Sequence, residues 1–109
     1  MYNVYLISAQ INDEKLYKIG YTKREVEKRL KELKTGNPAD FKIENQYKSK
    51  IGTKIESQLH KRYSYKKISG EWFNLSDEDI RDFTENCEKI EENYKLLKNN
   101  TYMIDRGYL

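Results

Sequence analysis

The fold is decided by the segment Leu16-Tyr17-Lys18-Ile19-Gly20-Tyr21-Thr22. Its bulky side chains at positions 17, 19 and 21 alternate with Lys18 and Gly20. A period of two is typical of a β-strand that buries one of its faces. We therefore predict a strand here, with the two tyrosines and the isoleucine on one face and Lys18 on the other.

A second β-prone run, Val4-Tyr5-Leu6-Ile7, precedes this strand, and the polar residues 10–15 between the two runs suit a hairpin loop. We expect an antiparallel pair in which Tyr5 lies opposite Lys18. That register places both side chains on one face of the sheet. A phenol and an ammonium then lie close together.

The rest of the sequence predicts helices and one more strand. Capping-box spacings at Thr22-Lys23-Arg24-Glu25 and Thr53-Lys54-Ile55-Glu56 predict helices that begin at Thr22 and Thr53. Residues 41–50 predict a third strand, and Ser76 followed by three acidic residues begins an acidic C-terminal helix. The expected fold class is α/β (α+β), with a small three-stranded antiparallel sheet flanked by helices.

Length and composition fit one small domain. The chain has 109 residues, of which 37% are hydrophobic, so its ten tyrosines must help to fill the core. We assign residues 1–75 to the core and residues 76–109 to a helix and tail packed on the same domain. The single Cys87 excludes an internal disulfide. We find no membrane-spanning stretch and no secretory leader, and expect an intracellular protein.

Charge is distributed unevenly along the chain. Residues 14–67 contain 16 Lys and Arg against 7 Asp and Glu, whereas residues 71–95 contain 3 against 9. This asymmetry, hidden in a net charge of +3, favours a polyanionic partner for the first part. The acidic segment is not expected to face that partner. Its apolar residues, which recur over residues 80–97, form a narrow seam that could also join two copies as a homodimer.

Several spaced motifs resemble those of the GIY-YIG nucleases. They are Asn3-Val4-Tyr5, then Lys18-Ile19-Gly20, Arg29 in the following helix and Glu56 in the next. The resemblance covers about residues 3–75. Two further features, a Leu-His pair after Glu56 and the motif Gly70-Glu71-Trp72-Phe73, are similar to a short subfamily common in bacteriophages and large DNA viruses, with relatives in fungi.

The resemblance implies a metal-dependent endonuclease that hydrolyses DNA phosphodiesters with Mg²⁺ or Mn²⁺. Tyr5 would orient or deprotonate the attacking water, and Lys18 would stabilise it. Arg29 would bind the scissile phosphate, and Glu56 would bind the metal. His60, four residues after Glu56 on the same helix face, would contact phosphate or transfer a proton.

The sequence leaves two assignments open. Lys18 stands where the family usually has a tyrosine, so its neighbours Tyr17 and Tyr21 are alternative sources of a phenol. Arg29 competes with its neighbour Lys28, because family members differ in the spacing to this position. The nucleic-acid contacts that we predict outside the catalytic set are Tyr17, Tyr21, Lys23 and Lys28.

Two other interpretations compete with catalysis, one for Glu56 alone and one for the whole chain. Glu56 occupies the last position of a capping box, which by itself gives it a structural role. The chain as a whole also fits a non-catalytic nucleic-acid-binding module that kept the fold and the basic surface. The lysine at position 18, where the family usually has a tyrosine, favours this binding module. So does the length of the chain, which leaves no room for a separate recognition domain.

Overall fold

Two long antiparallel strands form the centre of the computed structural model, which describes residues 1–37 and 39–98. Strand β1 spans Tyr2–Ile11 and strand β2 spans Glu14–Thr22. Only two residues, Asn12 and Asp13, connect them, and Asn12 has a φ of 55°. Asparagine tolerates this left-handed conformation, which two-residue hairpin turns require.

The register of this hairpin differs from the predicted one. Tyr5 lies opposite Gly20, and Lys18 lies opposite Ile7, so the predicted pairing of Tyr5 with Lys18 was wrong by two residues. The strands continue to Ile11 and Glu14, which moves every pair along by that amount. Because the shift is even, Tyr5 and Lys18 still share one face of the sheet.

The sheet has five antiparallel strands, so the prediction of three was wrong in number. Strand β3 spans Asp40–Ser49 and confirms the predicted third strand. Strands β4 (Lys67–Ser69) and β5 (Trp72–Phe73) add two more, in the order β3-β1-β2-β5-β4. Segments of two or three residues have no measurable period, which is why the sequence did not predict them.

Helices cover both faces of this sheet. On one face, Val26 packs with Tyr5 and Phe41. On the other face, Ile55 and Phe83 belong to a larger core cluster built on the same two central strands. The helices are α1 (Val26–Lys34), α2 (Gly52–Arg62), α3 (Asp77–Arg81) and α4 (Phe83–Lys98).

The predicted start of the first helix at Thr22 was wrong. Thr22 is the last residue of β2, where it pairs with Asn3. Its hydroxyl accepts a hydrogen bond from the Arg24 amide at 3.1 Å, which forms a local turn before α1 begins at Val26. Strand pairing therefore overrode the local capping signal.

The predicted start of the second helix at Thr53 was also wrong. Helix α2 begins at Gly52, without a side-chain cap. A Cβ at this position would lie 2.5 Å from the Cβ of Tyr2, so the glycine allows the helix to approach β1. Glu56 therefore has no capping role, and its side chain is available for another one.

The acidic C-terminal helix forms in two pieces. The predicted cap is confirmed, because Ser76 and Asp79 make a complete capping box at the start of α3. Phe83, Cys87 and Ile90 on α4 are buried against the core of the same chain. This packing accounts for the apolar seam without a second copy, and the homodimer stays a prediction. Of the predicted helix and tail over residues 76–109, residues 99–109 lie outside the described residues.

Among residues 1–37 and 39–98, no helix combines the length and apolarity that crossing a membrane requires.

Gly20 allows the Tyr5 side chain to lie across strand β2. Tyr5 is almost completely buried, at 1% exposure. A Cβ on residue 20 would lie 2.5 Å from Cζ of that ring and would also overlap its hydroxyl. Non-bonded carbon atoms do not approach each other this closely, so the position of the phenol depends on a glycine at 20.

We expect Gly20→Ala to lower the free energy of unfolding by about 1–3 kcal/mol, the usual cost of overpacking a core. The added methyl group overlaps the Tyr5 ring, which is held by its burial and cannot move away freely. Urea denaturation of the wild type and the variant measures the difference.

Gly36→Ala is the matched control. Gly36 has a φ of 68° and no atom within 4 Å of an added Cβ, so its substitution reports backbone strain alone. In a Tyr5→Leu background, Gly20→Ala should cost less, because leucine lacks the ring atoms that clash. An equal cost in both backgrounds would contradict the proposed contact.

Candidate active site

Helix α1 places Arg29 beside the buried phenol of Tyr5. The Arg29 Nε atom donates a hydrogen bond to the Tyr5 oxygen at 3.4 Å, and Nη1 lies 3.2 Å from a carboxylate oxygen of Glu32. The contact with Tyr5 raises the pKa of the guanidinium, with a smaller contribution from Glu32. Lys28 is exposed. Of the two competing basic residues, the structure therefore brings Arg29 to Tyr5.

Lys18 is a buried lysine with two partners. Its side chain forms an ion pair with Glu71, and its Nζ lies 5.6 Å from the centroid of the Trp72 ring. Only 8% of the residue is exposed. Lys18 and Tyr5 are diagonal neighbours on adjacent strands, positions that lie about 7–8 Å apart between Cα atoms. Lys18 thus lies between the Tyr5–Arg29 pair and Glu71.

Helix α2 contributes Glu56 and His60, one turn apart. The His60 Nε2 atom lies 3.5 Å from Oε1 of Glu56 and 2.8 Å from the carbonyl oxygen of Ile19. Because a carbonyl oxygen only accepts, Nε2 carries a hydrogen and donates it. The edge of the His60 ring packs against Phe73 at a centroid distance of 4.9 Å. These contacts fix the orientation of the imidazole, and in its neutral form Nδ1 has the free lone pair.

Glu71 completes a cluster of possible metal ligands that the sequence did not predict. One ligand atom from each of Glu56, His60 and Glu71 lies within 4.8 Å of the others. Glu71 follows Gly70, whose φ of 56° turns the chain from β4 into β5. Its carbonyl also accepts a hydrogen bond from the Ile19 amide at 3.1 Å. The motif Gly70-Glu71-Trp72-Phe73 contains this residue. Its two aromatic residues predict a contribution to the core, and the motif assigns no role to Glu71.

The electrostatics of this cluster favour a cation. Burial raises the pKa of the Glu56 carboxyl group, and the nearby Glu71 raises it further. His60 and Lys18 act in the opposite direction but do not cancel the increase. Two carboxylates share the Lys18 ammonium in a half-buried place, so with a neutral His60 one negative charge is left over. A divalent cation would compensate it.

A short strand next to the edge of the sheet brings these side chains together. Strand β5 lies between β2 and β4, and along β2 it pairs only with Tyr17 and Lys18. Beyond Ile19, no described strand lies on that side of β2. Helices α1 and α2 lie on opposite faces of the sheet, and their polar side chains reach this edge from both faces.

The other predicted nucleic-acid contacts lie elsewhere. Tyr17 is 5% exposed and belongs to the core on the α2 face, so it cannot replace Lys18 as a source of a phenol on the Tyr5 face. Tyr21 is exposed and packs edge-on against Tyr2 at 5.7 Å. Lys23 lies over the same Tyr2 ring at 5.3 Å. Tyr21 and Lys23 keep accessible surface, whereas Tyr17 has a structural position.

We expect Glu56→Gln to fold at least as stably as the wild type at pH 7. The raised pKa means that the folded protein binds the Glu56 proton more tightly than the unfolded chain does. Ionisation therefore destabilises the fold as the pH rises through that raised pKa, and glutamine does not ionise. Urea denaturation between pH 4.5 and 8 should show the advantage of the variant at high pH and its disappearance near pH 4.5.

Glu25→Gln is the matched control, because Glu25 is exposed and lies outside the cluster. It should not reproduce the gain in stability that we expect for Glu56→Gln at high pH. If Glu56→Gln is instead most destabilising at high pH, Glu56 is stabilised by its surroundings and the description of the cluster is wrong.

A match to one known protein family includes every residue of this site. A family model described as the T5orf172 domain matches residues 3–91, which extends beyond the predicted 3–75 into α4. This domain occurs in phage and other nuclease-like proteins and is of a nuclease-associated, DNA-binding type. No curated protein and no solved structure matches the chain significantly.

Proposed function

We propose that this chain, which belongs to the T5orf172 domain family, is a metal-dependent DNA endonuclease of the GIY-YIG type. One observation carries the proposal. Tyr5 and Arg29 meet on one face of the sheet, Glu56, His60 and Glu71 meet at its edge, and Lys18 lies beside both groups. A nucleophile-activating group, a phosphate-binding cation and a metal-binding cluster are the parts that phosphodiester hydrolysis needs.

Tyr5 and Arg29 would act on the two reacting groups. The phenol oxygen would orient the attacking water, or, as the phenolate, it would accept the proton of that water to become the phenol. The Arg29 Nε hydrogen bond would stabilise the phenolate form. Arg29 has five N–H donors, of which Tyr5 and Glu32 engage two. The remaining donors suit a forked contact with phosphate oxygens.

The donor set fits Mg²⁺ or Mn²⁺. Glu56 and Glu71 offer the hard oxygen ligands that both ions prefer, and an imidazole nitrogen of His60 is better matched to Mn²⁺. A metal bound there would supply positive charge next to the reacting phosphate. Lys18 would hold Glu71 in place and keep an ammonium near the phosphate oxygens, the role of a point charge.

One observation favours the alternative of a non-catalytic DNA-binding module. The Lys18 ammonium already neutralises the Glu71 carboxylate, and the lysine is buried with it. If this ion pair replaces the metal permanently, the fold and basic surface remain while hydrolysis is lost. Metal-dependent cleavage by the wild type separates the two functions.

We expect the protein to nick supercoiled plasmid DNA in Mg²⁺ or Mn²⁺ and to be inactive in EDTA. Glu56→Gln should lower the cleavage rate by about 10²-fold or more through loss of metal binding. Arg29→Lys should lower it by about 10²-fold, because lysine cannot form the forked contact. Gel quantification of nicked and linear products measures both effects.

Two exposed residues outside the site provide controls of the same chemistry. Glu25→Gln and Arg81→Lys should cleave at the wild-type rate. DNA binding by the wild type without nicking in either metal would establish the binding module instead. Cleavage that survives both Glu56→Gln and Arg29→Lys would show that the reaction uses other residues.

A further inference from the structure

A second basic feature lies away from the catalytic cluster. It is an open cleft of about 760 Å³ between the end of β3, the start of α2 and the last turns of α4. We name it the lysine cleft, because five lysines line it: Lys48, Lys50, Lys54, Lys95 and Lys98.

The lysine cleft carries an uncompensated positive charge. Among the described residues that line it, Glu91 is the one carboxylate, and its charge is already engaged. It accepts hydrogen bonds from the Ser49 hydroxyl and, at 2.8 Å, from the Tyr47 hydroxyl, which hold its pKa below the ordinary value. Among the described residues, Lys95 is the only one of the five lysines with an ion pair, at 4.0 Å from Glu91. The first turn of α2 adds no acidic residue.

The cleft also offers surface for sugars or bases. Ile51 and Tyr94 form part of its lining, and the Lys54 Nζ lies 5.2 Å from the centroid of the Tyr94 ring. A concave surface that combines free ammonium groups with an aromatic ring is suited to a nucleic-acid strand, whose phosphates alternate with flat, less polar groups.

The same helix connects the cleft to the catalytic cluster. Lys54 precedes Glu56 by two residues and His60 by six on α2. At 1.5 Å per residue, Lys54 and His60 lie about 9 Å apart along the helix axis. One DNA strand carries a phosphate about every 3.4 Å along the duplex axis, so the axial part of this separation corresponds to about three nucleotides. At about 100° per residue, the side chains of Lys54 and His60 point about 120° apart around α2. DNA with its scissile phosphate at the cluster therefore passes around α2 to reach the cleft.

We propose that the lysine cleft binds the phosphate backbone of DNA that flanks the scissile bond, an inference that rests on the proposed function. The net negative charge of residues 71–95 predicts that this acidic segment does not face DNA. Its last turns nevertheless contribute Lys95 and Lys98 to the cleft. The C-terminal end of α4 is thus part of the DNA-binding surface.

The test measures binding of a DNA duplex of about 20 base pairs in EDTA, which prevents cleavage, at several NaCl concentrations. The variant is Lys50→Gln/Lys54→Gln/Lys95→Gln, in which all three positions are exposed. Each lost phosphate contact should reduce the slope of log Kd against log salt by about 0.9. We expect a decrease of about 2–3 in that slope and weaker binding by at least 10-fold at low salt.

The double variant Arg81→Gln/Lys89→Gln is the control, because it removes positive charge at exposed positions that lie outside both the cleft and the basic segment 14–67. It should bind nearly as the wild type does. An equal loss per removed charge in the control and the cleft variant, or an unchanged slope in the cleft variant, would overturn the proposal. A cleft variant that binds DNA normally but loses binding to vesicles containing phosphatidylserine would reassign the cleft to lipid headgroups.

The two proposals fail in different ways. A wild type that binds DNA through the cleft but never nicks it overturns the endonuclease and leaves the cleft in place. A wild type that nicks DNA, with a cleft variant that binds and nicks equally well, overturns the cleft alone. Thermal unfolding of each variant by circular dichroism confirms that the comparison concerns folded proteins.

Discussion

The antiparallel pairing of β1 with β2 is the constraint on which the rest of the structure depends, because it sets both faces of the sheet at once. The turn at Asn12 and Asp13 fixes the register, which brings Tyr5 opposite Gly20 and Lys18 onto the same face. The glycine then lets the phenol lie across the neighbouring strand. A slip of one residue between the strands would put Tyr5 and Lys18 on opposite faces and would place the apolar side chains of the slipped strand on the wrong side of the sheet.

Much of the fold could be predicted because its signals repeat along the chain. The alternation around Lys18 and the run at residues 41–50 identify long strands, and the cap at Ser76 marks the start of the acidic helix. The capping boxes at Thr22 and Thr53 misplaced two helix starts. Local hydrogen bonds contribute about 1 kcal/mol, so strand pairing and close packing readily outweigh them.

The candidate site could also be predicted only in part. The motifs identified Tyr5, Arg29, Glu56 and His60, and the structure brings them together in two adjoining groups. They did not identify Glu71, because its position beside Glu56 depends on a turn and on a two-residue strand. Such a short strand has no hydrophobic period that could be recognised in the sequence. The capping-box spacing left a structural role for Glu56 as an alternative, and the observed start of α2 removes that alternative.

The sequence by itself determined the strand alternation, the kinds of polar groups available and the separation of basic from acidic segments, since these follow from order and period along the chain. Only the tertiary structure decided which groups meet. The short β5 strand gathers side chains from both faces at one edge, and the packing of α4 on α2 turns lysines from distant segments into one cleft. These outcomes depend on contacts between residues far apart in the chain, where the free energy of burial exceeds what any local pattern supplies.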